Sequence, residues 1–181
     1  MNPLYAVTMN AKWDAMDRYL NTEPHLTKYA AWLDIGCFRA MTDDKDKINS
    51  TYTFKLEVPP DFNDSTISYS QIIRRDYFFK RYPDPWTIIK GNHVWVGGAY
   101  FVGTNDAVRK YVHDYRSAVK DLLAQNMTST DQQVIASLHS RKLPTQPSVE
   151  IKEHTCKRQS WFCMAYKCKE EAEKRDLYCP C

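Results

Sequence analysis

Three places in the sequence hold residues that packing alone would not ask for: Asp34 followed by Gly36 and Arg39, the run from Gly97-Gly98 to Gly103, and Asp131-Gln132. A carboxylate at the carboxyl end of a buried strand sits where open α/β sheets present their ligands, so Asp34 is suited to a divalent cation or a sugar hydroxyl. As a single residue it is about equally suited to capping its own turn. Gly97 and Gly98 interrupt an otherwise aromatic and β-branched strand. Glycine there marks a bulge, the simpler reading, or a place where a backbone or a sugar approaches closely. With only 5 Gly in 181 residues, the pair stands out from the composition. Asp131 follows Ser129 and Thr130 at the head of an apolar-periodic stretch, which makes a helix N-cap its default role and a cleft-facing acid the alternative. Lys12 and Arg39 are cations able to face phosphates, although Lys12 reads equally well as a solvated surface charge.

Five of the 6 cysteines, Cys156, Cys163, Cys168, Cys179 and Cys181, fall at the end of the chain, and Cys37 stands alone. Their spacings lack the paired CxxC knuckles of a structural zinc site, so disulfides are expected: two within the tail, with the odd cysteine free or paired with Cys37 or another chain. Sequons at Asn49, Asn63 and Asn126 agree with a glycoprotein of the secretory pathway (Golgi lumen) or outside the cell. The first residues show no basic stretch followed by an apolar core, and no apolar run approaches the length of a membrane span. Residues missing upstream of Met1 would reconcile the missing signal with the cysteines. The net charge is only +3, from 25 Lys+Arg against 22 Asp+Glu, and the basic residues are scattered, so no nucleic-acid partner is indicated. At 43% apolar and 26% charged, the chain has the profile of an ordinary globular domain.

The elements that must position these residues can be read in outline. Leu4, Val7, Trp13, Met16 and Leu20 predict a helix over residues 4–20, and the run Tyr29–Ile35 predicts a buried strand stopped by Gly36. Residues 41–64 read as a loop with one pairing segment, Tyr52–Val58. Residues 66–82 mix apolar and basic side chains without a clear period, and Pro83 and Pro85 break the pattern before Trp86–Ile89. A second buried strand is expected over Val94–Val102. Thr104 or Asn105 then caps a helix carrying Val108, Tyr111, Val112, Tyr115, Ala118, Val119, Leu122 and Leu123. A shorter helix starts at Thr130 or Asp131, and beyond Pro147 the pattern dissolves. The fold class is α/β, without a first βαβ unit carrying a nucleotide-binding turn.

Taken together, Pro3-Leu-Tyr-Ala with Asn10-Ala-Lys12, Ala31-Trp-Leu-Asp-Ile-Gly36 with Phe38-Arg39, Gly97-Gly-Ala-Tyr-Phe-Val-Gly103 and Asp131-Gln-Gln133 resemble the HtrL/YibB-like (WlaTC/HtrL) glycosyltransferases, from Met1 to about Arg141. The resemblance implies an animal, nematode-like member lacking the N-terminal nucleotide-binding half. It implies a partial GT-A (Rossmann-like) core over residues 1–142 and a cysteine-rich disulfide tail over 143–181. The implied activity is transfer of a sugar from a nucleotide-sugar donor to a glycan or other hydroxyl acceptor. Asp34 and Asp131 would be catalytic, and Lys12, Arg39, Gly97, Gly98 and Gln132 would bind substrate. Asp34 would also hold a divalent metal, Mn or Mg. Gly36 stands where the family's second carboxylate is usual, which leaves that metal site one ligand short. The alternative is a non-catalytic lumenal or secreted binding protein built on a degenerate fragment of the same fold.

Overall fold

The computed structural model describes residues 3–22, 27–34, 36, 56–156 and 161–178. They form helix α1 (Pro3–Thr22), strands β1 (Tyr29–Leu33) and β2 (Ile67–Gln71), helices α2 (Arg75–Arg81) and α3 (Pro85–Lys90), and strand β3 (Val96–Thr104). Helices α4 (Asn105–Ala124) and α5 (Asp131–His139), strand β4 (Ile151–His154) and helix α6 (Cys163–Tyr178) follow. This is a mixed α/β structure around one sheet in the order β1-β3-β2-β4. Strands β1 and β2 run antiparallel to β3, and β4 runs parallel to β2.

Side chains alternate across the sheet and separate two apolar layers. On one face Tyr69 and Phe101 meet Trp13 of α1 and Tyr111 and Tyr115 of α4. The indole of Trp13 stacks on Phe101 and Tyr115, with ring centroids 4.9 and 4.6 Å away. On the other face Tyr100 and Val102 meet Met164, Ala165 and Cys168 of α6. Thr104 caps α4 as expected, its hydroxyl accepting from the Ala107 amide at 3.2 Å. Asn126, with φ at 56°, ends that helix in the left-handed conformation asparagine tolerates, and turns the chain back toward α5.

Several expectations are corrected. Among the described residues the Tyr29 strand, read as buried, lies at the sheet edge and pairs with β3 alone. Its apolar character comes from two covered faces, Trp32 against one layer and Tyr29 and Leu33 against the other. In α1 the buried stripe is Ala6, Lys12, Trp13, Met16 and Leu20, whereas Leu4 and Val7 are 73% and 66% exposed. Residues 66–82 hold β2 and α2, and β2 was concealed by its serines. Ser68 and Ser70 are fully buried and satisfied, Ser68 by His154 at 3.0 Å and Ser70 by the Met164 amide at 3.0 Å. Pro85 begins α3 instead of breaking it, because Asp84 caps that helix at the Thr87 amide.

The end of the chain does not dissolve either. Strand β4 extends the sheet beyond the boundary at 142, and α6 covers its second face. Among the described residues there is one disulfide, Cys156–Cys163, while Cys168 is a buried free thiol whose pKa burial raises to about 11. Cys37, Cys179, Cys181, Asn49, Ile35 and residues 52–55 of the expected pairing segment lie outside the described residues, and 56–58 form no strand. Asn63 and Asn126 are both exposed. No helix among the described residues is long and apolar enough to cross a membrane.

Candidate functional site

The site is built where α1, the end of β1, the start of β3 and the head of α5 meet. Asn10 anchors α1 to the segment before α5, donating to the Ser129 carbonyl at 3.1 Å and accepting from the Tyr115 hydroxyl. Two residues further on, Lys12 turns inward. Its ammonium donates to the Gly98 carbonyl at 3.0 Å and lies 2.8 Å from Asp131 Oδ2 and 3.9 Å from Asp34 Oδ1. Lys12 and Asp131 are buried, which removes the reading of Lys12 as a solvated surface cation. The Asp34 side chain remains 32% exposed. Its amide donates to the Ala99 carbonyl at 2.8 Å and its carboxylate accepts from the Trp32 indole. Asp34 therefore faces the glycine strand and Lys12, while the turn that follows it lies outside the described residues.

The glycines are explained by two demands at once. Neighbouring β2 residues Tyr69 and Ser70 pair with Phe101 and Gly97, so Gly98, Ala99 and Tyr100 bulge out of the ladder. A Cβ on Gly98 would come within 2.7 Å of Asp131 Oδ2 and 3.1 Å of the Gln132 side chain. Gly98 and Gln132 are thus in contact, not on facing walls of a space. A Cβ on Gly97 would meet the Trp161 carbonyl at 2.9 Å. Gly98→Ala is expected to push Asp131 off Lys12 and lower stability by about 1–3 kcal/mol, as overpacking usually does. Thermal melts check this, and a variant that melts with the wild type would show the contact to be loose.

Asp131 is the first residue of α5, and Thr130 takes the N-cap position. The hydroxyl of Thr130 donates to Gln133 Oε1, which leaves Asp131 free to turn toward Lys12. The positive end of a helix favours an ionised Asp131. Burial outweighs that and the attraction of Lys12, and holds the carboxyl above the usual aspartate range. Asp131 Oδ1 has no hydrogen-bond partner among the described residues. Gln132 is half-buried beside it.

Lys12, Asp34, Gly98, Asp131 and Gln132 therefore come together, Gly97 adjoins them, and Arg39 lies outside the described residues. The sequence reading missed Trp32, although its place two residues before Asp34 puts both side chains on one strand face. It also missed Trp161. Among the described residues no group of three His, Cys, Asp or Glu could hold a metal ion. These residues do not fit a divalent ion between the two carboxylates, because the Lys12 ammonium already supplies positive charge at that point. A groove of about 710 Å³ opens at the other end of β3, lined by Lys28, Asp64, Asn105, Arg109 and Ser148 among others. It contains none of the residues gathered at the Gly98 bulge.

A match to the family described as "Bacterial protein of unknown function (HtrL_YibB)" spans residues 1–168. The chain belongs to the HtrL_YibB family. Every residue gathered at the Gly98 bulge falls within the matched span, as does Arg39. The match also passes Arg141, where the resemblance read from the sequence stops, and continues through β4 into α6. No curated protein and no solved structure matches the chain.

Proposed function

We propose that this HtrL_YibB protein is a glycosyltransferase that moves a sugar from a nucleotide-sugar donor to a hydroxyl of a glycan or another alcohol. The observation that carries the reading is the convergence of Asp34 and Asp131 on the Lys12 ammonium, which itself donates to the Gly98 carbonyl, the three residues coming from separate elements. Charged side chains are brought into a protein interior at a cost that a purely structural contact seldom requires.

The roles follow from exposure. Asp34 is the carboxylate that reaches solvent, so it meets the acceptor. The acceptor oxygen bonds to the anomeric carbon, the anomeric bond to the diphosphate breaks, and its electron pair leaves with the nucleoside diphosphate. The hydroxyl proton passes to Asp34. Asp131 is too deeply buried for that exchange and is assigned as a positioning residue, holding Lys12 so that Lys12 orients Asp34. The Lys12 ammonium is already committed to two carboxylates and a carbonyl, so contact with the departing phosphates falls to Arg39, as the resemblance implies. Gln132 offers an amide to sugar hydroxyls, and the missing side chains of Gly97 and Gly98 leave room for Asp131, Gln132 and Trp161 to press on the β3 backbone. The Cys156–Cys163 disulfide supports an oxidising compartment, such as the secretory pathway, as the place of action.

The experiment is release of nucleoside diphosphate from a panel of nucleotide sugars, with mixed oligosaccharides as acceptors. Asp34→Asn is expected to cut turnover about 100-fold or more, the usual worth of a general base, with little change in melting temperature because Asp34 is half-exposed. Equal turnover by wild type and Asp34→Asn would overturn the assignment.

A further inference from the structure

Asp34 follows the last residue of β1, and its amide still donates to the Ala99 carbonyl at 2.8 Å. The extended backbone therefore runs on through Asp34, and the side chains of Trp32 and Asp34 share one face of the strand. Trp32 is half-buried there. The body of its indole packs against the larger apolar layer, opposite Phe101 in the register with β3. The Nε1–H donates to Asp34 Oδ1.

Lys12 completes the arrangement from the side of α1. Its ammonium lies 3.9 Å from the same carboxylate oxygen and 5.6 Å from the centroid of the Trp32 ring. Trp32 thus meets both charges, the carboxylate through its donor edge and the ammonium through its ring face. An indole nitrogen only donates, so the direction of the bond to Asp34 is fixed. Without such a partner, an aspartate 32% exposed at the end of an edge strand would sample several rotamers. The two cationic or polar donors also make the carboxylate oxygens unequal. A proton arriving at Oδ1 would face the indole N–H and the ammonium, whereas Oδ2 is engaged by neither.

We infer that Trp32 is a positioning residue for glycosyl transfer: with Lys12, its indole N–H fixes Asp34 Oδ1 and leaves Oδ2 as the oxygen that takes the acceptor proton. The inference rests on the glycosyltransferase reading and deepens it by naming the residue that aims the base and the atom that acts. The acceptor O–H bond breaks and its proton goes to Oδ2. The electron pair left on that oxygen forms the bond to the anomeric carbon, and the pair of the broken anomeric C–O bond departs with the nucleoside diphosphate. Trp32 exchanges no proton.

The test joins a spectrum to a rate, both on the full chain. The protein has 5 Trp, and the indole N–H resonance of Trp32 is assigned by its loss in Trp32→Phe or Trp32→Tyr. That resonance is expected to move upfield and to exchange faster with water in Asp34→Ala, where the donor has lost its acceptor. In the nucleoside diphosphate release assay, Trp32→Phe keeps a ring beside Lys12 and loses the donor. Its kcat should fall about 10- to 100-fold with KM within about twofold, the mark of a misaimed group rather than of lost binding. Trp86→Phe, at the exposed Trp86 of α3, should turn over like the wild type. A Trp32 resonance unmoved by Asp34→Ala overturns the positioning role, and so does a Trp32→Phe protein with wild-type kcat or with a loss confined to KM; in each case the glycosyltransferase reading stands. If the resonance answers to Asp34 but the wild type turns over no nucleotide sugar, the glycosyltransferase reading falls and the role of Trp32 in transfer falls with it.

Discussion

Lys12→Met is expected to destabilise the fold by about 3–5 kcal/mol, the usual cost of removing one partner from a buried ion pair. The methionine fills most of the space, so the loss is electrostatic: Asp131, almost fully buried, would keep only a helix end to balance its charge. The double variant Lys12→Met/Asp131→Asn should recover most of the loss, because no uncompensated charge remains. The pH dependence has a definite sign. Asp131 carries a pKa raised by burial, so between the ordinary aspartate value and the folded value the native state binds more protons than the unfolded chain. Stability attributable to Asp131 is therefore full at low pH and lost as pH rises through the folded pKa, and removal of Lys12 steepens that loss. Urea unfolding of the single and double variants across pH measures it. A Lys12→Met protein as stable as the wild type at neutral pH would mean that the pair is hydrated.

Acid should unfold this protein chiefly through His139. Its ring is buried between Trp95 and Tyr111, with centroids 5.3 and 5.9 Å away, and neither ring nitrogen has a hydrogen-bond partner among the described residues. Burial pushes its pKa down to about 3, with Arg75 and Arg141 adding to the effect, against about 6.5 in an unfolded chain. Glu150, at 4.0 Å, is the nearest acid but does not reverse the outcome. The unfolded chain therefore binds the extra proton first. Stability is complete above pH about 6.5 and falls as pH drops toward the folded value, by about 3 kcal/mol at pH 4. His154, pushed down to about 4 mainly by burial, adds a smaller loss in the same window. His139→Phe keeps the ring and removes the proton site, so its stability should be flatter over that range in denaturant titrations. An unchanged acid slope would place the responsible group elsewhere.

How much was legible in the sequence depended on whether a residue's neighbours in sequence were also its neighbours in space. Helix α4 and its Thr104 cap could be read because the period and the cap are local. Gly98 and Asp131 each had a local reading, a bulge and an N-cap, and each of those readings was incomplete. The bulge is real, but what it accommodates is a carboxylate from α5. Lys12 could not be ranked above a surface lysine, because the carbonyl and carboxylates that bury it come from β3, α5 and the end of β1. Strand β2 was missed because its buried serines are satisfied by His154 and α6, partners that lie far along the chain. Tail composition was misleading for a related reason. Residues 143–181 are poor in large apolar side chains, yet Met164, Ala165 and Cys168 cover a sheet face already supplied with Tyr100 and Val102.

The carboxylates gathered around Lys12 at the Gly98 bulge are proposed to belong to a nucleotide-sugar site. Calorimetric titration of the purified chain with uridine, guanosine and cytidine diphosphate or monophosphate sugars tests it most directly. One-to-one binding of one donor class is expected. Its affinity should fall at least about tenfold in Gly98→Ala, which moves Asp131 and Gln132, and in Asp34→Asn, with the free nucleotide less affected than the sugar conjugate. Absence of binding across the panel, or binding that neither substitution alters, would contradict it.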